Sequence, residues 1–196
     1  MVCSGLVVGG SLTVEAQGAT VGEPAPAFEL TDANGQRRSL AEFRGAFVVL
    51  EWVNPECPFV RKHYGSGNMQ RLQRTYTNRQ VAWLSINSSA PGKQGHLTPE
   101  TAQVFLEEQG ASPSALLLDP DGTVGKQYGA KTTPHLFVLN PDGVLIYHGA
   151  MDDRPSTDPQ DVPEAHNYVE AAVDEALAGQ PVSTPTTQPY GCSVKY

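Results

Sequence analysis

Phe47-Val48-Val49-Leu50-Glu51-Trp52-Val53-Asn54-Pro55-Glu56-Cys57-Pro58-Phe59-Val60-Arg61-Lys62-His63-Tyr64 is the stretch on which the reading of this chain turns. Its first part is an apolar run that reads as a buried strand, and Asn54-Pro55 breaks it. Pro58 then opens a helix expected over about Phe59 to Thr77. Cys57 therefore stands on the threshold of a helix. A thiol there faces unpaired backbone N–H groups and the positive end of the helix dipole, which favour thiolate over thiol. The placement points to nucleophilic redox chemistry, with Cys57 exposed and thiolate-prone.

A second signal lies far along the chain, where Lys131-Thr132-Thr133-Pro134-His135 opens the apolar run Leu136 to Leu139 and turns at Asn140-Pro141-Asp142-Gly143. Taken together, these pieces resemble the thioredoxin fold. Upstream, Val21 to Leu30, the turn at Asn34-Gly35 and Ser39 to Gly45 are similar to the opening of the redoxin branch, which holds the alkyl hydroperoxide reductase/thiol-specific antioxidant proteins and the periplasmic thiol-disulfide oxidoreductases. The resemblance covers roughly residues 20 to 180. It implies an α/β chain: a central mixed β-sheet flanked by helices, with an N-terminal redoxin-type extension and a long insertion before the last helix. It also implies a cis Thr133-Pro134 bond facing Cys57, whose backbone groups can pair with an extended substrate. Pro58 and Phe59 border that substrate site.

The chain departs from both subfamilies. Thioredoxins carry Cys-x-x-Cys, but the fourth position here is Val60; peroxiredoxins carry Pro and Thr or Ser at seven and three residues before the reactive cysteine, where Leu50 and Asn54 stand. A partner for Cys57 must come from elsewhere.

The other cysteines are Cys3 and Cys192. Cys192 ends a Pro/Thr-rich tail, residues 181–196, that reads as extended. At about 3.1 Å per residue, Gly179 to Cys192 reaches roughly 40 Å, against a radius of gyration of roughly 16 Å for a compact chain of this length. The tail can reach Cys57 from the far side of the domain, and Tyr190-Gly191-Cys192-Ser193-Val194-Lys195-Tyr196 has the composition of a docking segment. Cys57 is then the nucleophile and Cys192 its resolving partner. A free thiol on a frayed end, or a permanent disulfide worth about 5 kcal/mol in the chain-entropy model, are the alternatives.

Glu51, six residues before Cys57, occupies the position at which the resemblance implies a buried carboxylate that relays protons; in an apolar strand its pKa is raised by desolvation. A purely structural Glu51 is the other reading. Arg61, one turn beyond Cys57, either stabilises the thiolate or is a plain solvated residue. Glu56 is expected to be solvated. His63 and His135 raise a metal site, but the second cysteine of a copper-handling motif is absent at Val60 and Arg61, so no metal and no cofactor are assigned.

The remainder reads as one domain, residues 20–180, after a leader or extension at 1–19. A strand is expected at Val81 to Asn87, a helix capped by Thr98 and stopped at Gly110, a short strand at Leu116 to Leu118, and strands at Leu136 to Leu139 and Val144 to His148. Pro163 opens the last helix, ended by Gly179. Between them the acidic stretch with Asp152, Asp153, Asp158 and Asp161 reads as a solvated loop, since its spacing fits no calcium site.

A net charge of −8 with no basic cluster argues against nucleic acid, and no stretch is long enough to span a bilayer. The first sixteen residues contain a modest apolar run without a basic n-region, which favours a periplasmic or exported setting over the cytoplasm. The expected partners are protein or small-molecule thiols and disulfides, and peroxides if the chain is a thiol peroxidase. A non-catalytic binding or chaperone module is the reading from a different class.

Overall fold

The computed structural model describes residues 18–196. The leader expected at 1–19, and Cys3 with it, lies almost wholly outside the described residues.

The decisive stretch forms strand β3 (Val48–Trp52), every residue of which is buried. A strand buried on both faces belongs at the centre of a sheet. β3 pairs in parallel with β4 (Ala82–Asn87) and antiparallel with β7 (His135–Leu139), so Leu50 sits between Leu84 and Phe137. Outside these lie β5 (Ala115–Leu118), parallel to β4, and β8 (Leu145–Gly149), antiparallel to β7. The N-terminal hairpin β1 (Glu29–Asp32) and β2 (Arg37–Ser39) completes a seven-stranded mixed sheet in the order β2-β1-β5-β4-β3-β7-β8.

Alternation along β3 divides the core. Val49 and Val53 face one layer with α1 (Pro58–Gly65), α2 (Asn68–Thr77), α3 (Pro99–Gln109) and α5 (Tyr168–Leu177), while Val48, Leu50 and Trp52 face the other, closed by α4 (Thr123–Tyr128) and the N-terminal segment. The single helix expected from Phe59 to Thr77 is two. Gly67 adopts a left-handed φ of 75°, which breaks the α-helical path between α1 and α2. The last helix begins later than Pro163: a 3-10 turn at Pro159–Glu164 precedes α5, whose N-cap is Asn167. Thr98 caps α3 and Gly110 ends it, as expected.

α4 was not expected. Its six residues depend on Asp119, whose carboxylate accepts from the N–H groups of Val124 (3.2 Å) and Gly125 (2.9 Å). Ser88 links Asp119 (2.6 Å) to the Trp52 indole (3.0 Å), tying α4 to the central strand.

The tail is a docked strap. Pro185 and Thr187 exchange backbone hydrogen bonds with His148 on the edge of β8, and the Thr187 hydroxyl meets the Tyr147 hydroxyl (2.8 Å) and the Ala150 N–H (2.8 Å). Further on, β9 (Cys192–Ser193) pairs antiparallel with β6 (Thr132–Thr133), and the Tyr196 hydroxyl donates to the Ala130 carbonyl at 2.8 Å. Glycines open the seats: a Cβ at Gly149 would run into Thr187, and one at Gly122 or Gly125 into the Tyr196 ring.

Candidate active site

Cys57 is the N-cap residue of α1, with Pro58 at the first helical position. The turn before it is built by Asn54, whose backbone carbonyl accepts from Cys57 N–H (3.0 Å) and whose side chain accepts from Glu56 N–H (2.8 Å). The amide nitrogen of Asn54 donates to the Gln94 carbonyl (3.1 Å), so the loop after β4 braces the strand-to-helix turn. Glu56 is exposed, as expected.

The sulfur lies against the loop before β7, where the Thr133-Pro134 bond is cis. As a thiol, Cys57 donates to the Thr133 carbonyl at 3.0 Å. In the register of β6 with β9, Cys192 stands directly across from Thr133. This brings the two cysteines together as reduced thiols within hydrogen-bonding reach of each other. Contrary to the expectation of an exposed thiol, Cys57 is completely buried, because the strap covers it; Cys192 is partly exposed.

The two sulfurs are not equivalent. Burial pushes the Cys57 thiol up, but hydrogen bonds to its anion from the Cys192 thiol, the Thr133 hydroxyl and the N–H groups of Cys192 and Val60 outweigh it, and the net shift is downward. The Cys57 side chain makes no capping bond as a thiol; the first-turn Val60 N–H favours it as an anion. The Thr133 hydroxyl is buried and makes no hydrogen bond among the described residues, so it is free to turn toward the Cys57 anion. Cys192 is pushed up to about 11, by burial first and then by its hydrogen bond and charge interaction with Cys57. Of the two sulfurs, Cys57 gives up its proton more readily and Cys192 holds its proton more tightly.

The other expected residues fall in different places. Glu51 is buried on the Cys57 side of the sheet and accepts from Tyr64 (3.0 Å), Trp83 (2.9 Å) and Ser85 (2.9 Å). Burial holds its carboxyl above the usual range, against the effect of those hydrogen bonds. Arg61 is exposed and its Nε donates to the Pro55 carbonyl at 2.9 Å. Pro58 is exposed, and Phe59 packs edge-on against Tyr190 of the strap, with ring centroids 5.8 Å apart. His63 and His135 are buried, and desolvation lowers them to about 4 and about 3.

Asp152 corrects the reading of the acidic stretch as a solvated loop. It is buried and accepts from Lys62 Nζ (3.3 Å), from the Arg154 N–H (3.0 Å) and from the Tyr190 hydroxyl. Lys62, with no exposed side chain, also donates to the Arg154 carbonyl at 2.6 Å. A buried charge needs such a partner set, and this one sits at the seat of Tyr190, two residues before Cys192. Gly191 was also missed: a Cβ there would collide with the Thr133 carbonyl, and its φ of 142° disfavours a side chain.

A central mixed sheet, a cysteine at the start of the helix after its middle strand and a cis Thr-Pro loop facing that cysteine define a thioredoxin fold. The chain belongs to the AhpC/TSA family, whose model matches residues 21–148. An uncharacterized conserved protein from Geobacillus kaustophilus superimposes with a TM-score of 0.78 at 29% identity, covering 95% of this chain and 97% of that one. A Mycobacterium tuberculosis protein whose name places it with the peroxiredoxins is 28% identical over 138 residues, 68% of this chain and 79% of its own. Thiol-disulfide oxidoreductase ResA of Bacillus subtilis is 24% identical over 132 residues; the match spans 64% of its length and 64% of this chain.

Proposed function

We propose that this protein is a thiol-disulfide oxidoreductase in which Cys57 is the nucleophile and Cys192 the resolving thiol. One observation carries the reading: the tail delivers Cys192 to the residue opposite Thr133, beside a sulfur whose surroundings favour its anion. Reactivity requires thiolate, and a low-pKa sulfur is also the better leaving group when the resulting disulfide is reduced. Cys57 attacks one sulfur of a substrate disulfide and the other leaves; Cys192 then attacks Cys57, forming the internal disulfide and releasing the substrate's second thiol. An external dithiol of the partner class expected above returns the pair to its reduced form. Proteins that carry disulfides are found mainly in oxidising compartments, and an exported setting fits that substrate class.

Disulfide exchange is preferred to peroxide reduction because of Asn54. At that position a peroxiredoxin carries a hydroxyl, whereas the Asn54 side chain is engaged by Glu56 and Gln94. Steady-state reduction of an aromatic disulfide and of hydrogen peroxide, with a dithiol as electron source, separates the two. Exchange that is lost in Cys57→Ser and stops after one turnover in Cys192→Ser supports the reading. Peroxide consumption far outpacing exchange, or full activity in Cys57→Ser, overturns it.

A further inference from the structure

The strap occupies the edge of the molecule that a substrate strand would need. β6 offers its backbone at Thr132 and Thr133, and β9 takes those pairings with Ser193 and Cys192. The partnership is shaped residue by residue. Gly191 passes so close to the Thr133 carbonyl that any Cβ would collide with backbone on the opposite side. Tyr190 lies in a formed seat, with Phe59 edge-on to its ring, Lys62 Nζ 5.7 Å from the ring centroid and Asp152 receiving its hydroxyl. The edge thus imposes a pattern on whatever pairs with it: an aromatic residue with a hydroxyl, glycine, then cysteine.

We infer that the Thr132–Thr133 edge is the binding site for an extended, cysteine-bearing segment of a substrate protein with glycine immediately before the cysteine and a tyrosine-like residue before that, and that the chain's own C-terminal strap is its internal occupant in the reduced state. The inference rests on the reading of Cys57 as the nucleophile. Strand and strap cannot share the edge, since both need the same Thr133 pairing and the same ring seat. Binding of the substrate segment lifts the strap. The Cys57 thiolate attacks the segment's disulfide sulfur, forming a Cys57–substrate bond, and the other substrate sulfur leaves as a thiolate that takes a proton from water. The strap then displaces the segment's backbone from β6 while the Cys57–substrate bond still tethers it, and Cys192, again opposite Thr133, gives its proton to water and attacks Cys57. The Cys57–Cys192 bond forms, the segment's cysteine leaves as a thiolate and is protonated, and two electrons have passed from the cysteine pair to the substrate disulfide. Resolution and release are one event, because the returning strap takes the place of the product.

The test uses the full chain in two forms, Cys192→Ser and Gly191→Ala/Cys192→Ser, with thiopyridyl-activated peptides Pro-Tyr-Gly-Cys-Ser, Pro-Tyr-Ala-Cys-Ser and Pro-Ala-Gly-Cys-Ser. A thiopyridyl derivative of cysteamine reports intrinsic Cys57 reactivity. The Gly191→Ala change forces the strap off the edge. In that form the Tyr-Gly-Cys peptide is expected to react at least about tenfold faster than the Tyr-Ala-Cys peptide, the penalty of forcing a methyl group into a closed contact, and faster than the Ala-Gly-Cys peptide. The same Tyr-Gly-Cys peptide is expected to react at least about tenfold more slowly with the Cys192→Ser form, whose strap remains seated. Equal rates for the glycine and alanine peptides, or no acceleration from Gly191→Ala beyond that seen with the cysteamine probe, overturn the inference. Failure of the parent reading looks different: no peptide and no cysteamine probe would react with Cys57 at all.

Discussion

The Tyr190 hydroxyl donates to the buried carboxylate of Asp152, the same carboxylate that accepts from the fully buried ammonium of Lys62. One carboxylate therefore holds both α1, the helix that begins after Cys57, and the end of the strap that carries Cys192. Removing it is expected to do two kinds of damage. Asp152→Ala leaves Lys62 charged and unpaired in the interior and is expected to cost about 3–5 kcal/mol, whereas Tyr190→Phe removes one charge-assisted hydrogen bond and is expected to cost about 1.5–3 kcal/mol. Urea denaturation of the two variants checks this, and an Asp152→Ala protein no less stable than Tyr190→Phe would refute the arrangement.

Glu51 makes stability decline as pH rises above the ordinary carboxylate range. Its carboxyl is held above the ordinary 4.5 by burial, so above that pH the unfolded chain releases a proton that the folded protein keeps. Its contribution is complete below about pH 4.5 and is lost as pH rises through the folded value, at about 1.4 kcal/mol per pH unit. Glu51→Gln is expected to flatten that decline in denaturation curves collected at successive pH values; an unchanged slope would show that Glu51 is ionised in the fold.

Acid stability carries the opposite sign. His135 is kept neutral down to about pH 3, first by burial and then by the neighbouring His148 and Lys131. The unfolded chain takes up its proton near the ordinary 6.5, so stability present above pH 6.5 drains away toward pH 3, again by about 1.4 kcal/mol per unit. His135→Asn keeps an acceptor for the Lys131 N–H, which bonds Nδ1 at 3.3 Å, and is expected to remove this part of the acid slope. An acid limb identical to wild type would contradict it.

The division of labour between the sulfurs is open to titration. In the reduced Cys3→Ser protein, thiolate absorbance is expected to rise in two steps, Cys57 below its ordinary 9.0 and Cys192 near 11. Cys192→Ala removes a donor to the Cys57 anion and is expected to move the first step upward. A first step that stays in place would mean that Cys192 does not support the thiolate.

What the sequence disclosed was local. A strand ending at Asn54-Pro55 and a Pro58 helix start are short-range signals that fall in the structure where the residues placed them, and the Thr133-Pro134 bond is cis as the family resemblance implied. The aromatic-Gly-Cys ending of the tail announced docking, though the strap lies along β8 and β6 where the sequence offered only reach. Features made by distant pairs were illegible. Asp152 looks like any member of an acidic loop until Lys62, 90 residues away, is seen beneath it. Burial of Cys57 depends on a segment more than a hundred residues downstream, and so the sequence read it as exposed. α4 has too weak a periodicity in six residues to be found without the Asp119 contacts that cap it.

The most direct measurement is mass spectrometry of proteolytic fragments from the full-length protein after mild oxidation, without reduction. A fragment pair joined through Cys57 and Cys192, formed in one-to-one yield and dissolved by a dithiol with recovery of activity, is the expected result. Oxidation that leaves Cys192 free while Cys57 progresses to sulfinic acid would contradict the central claim.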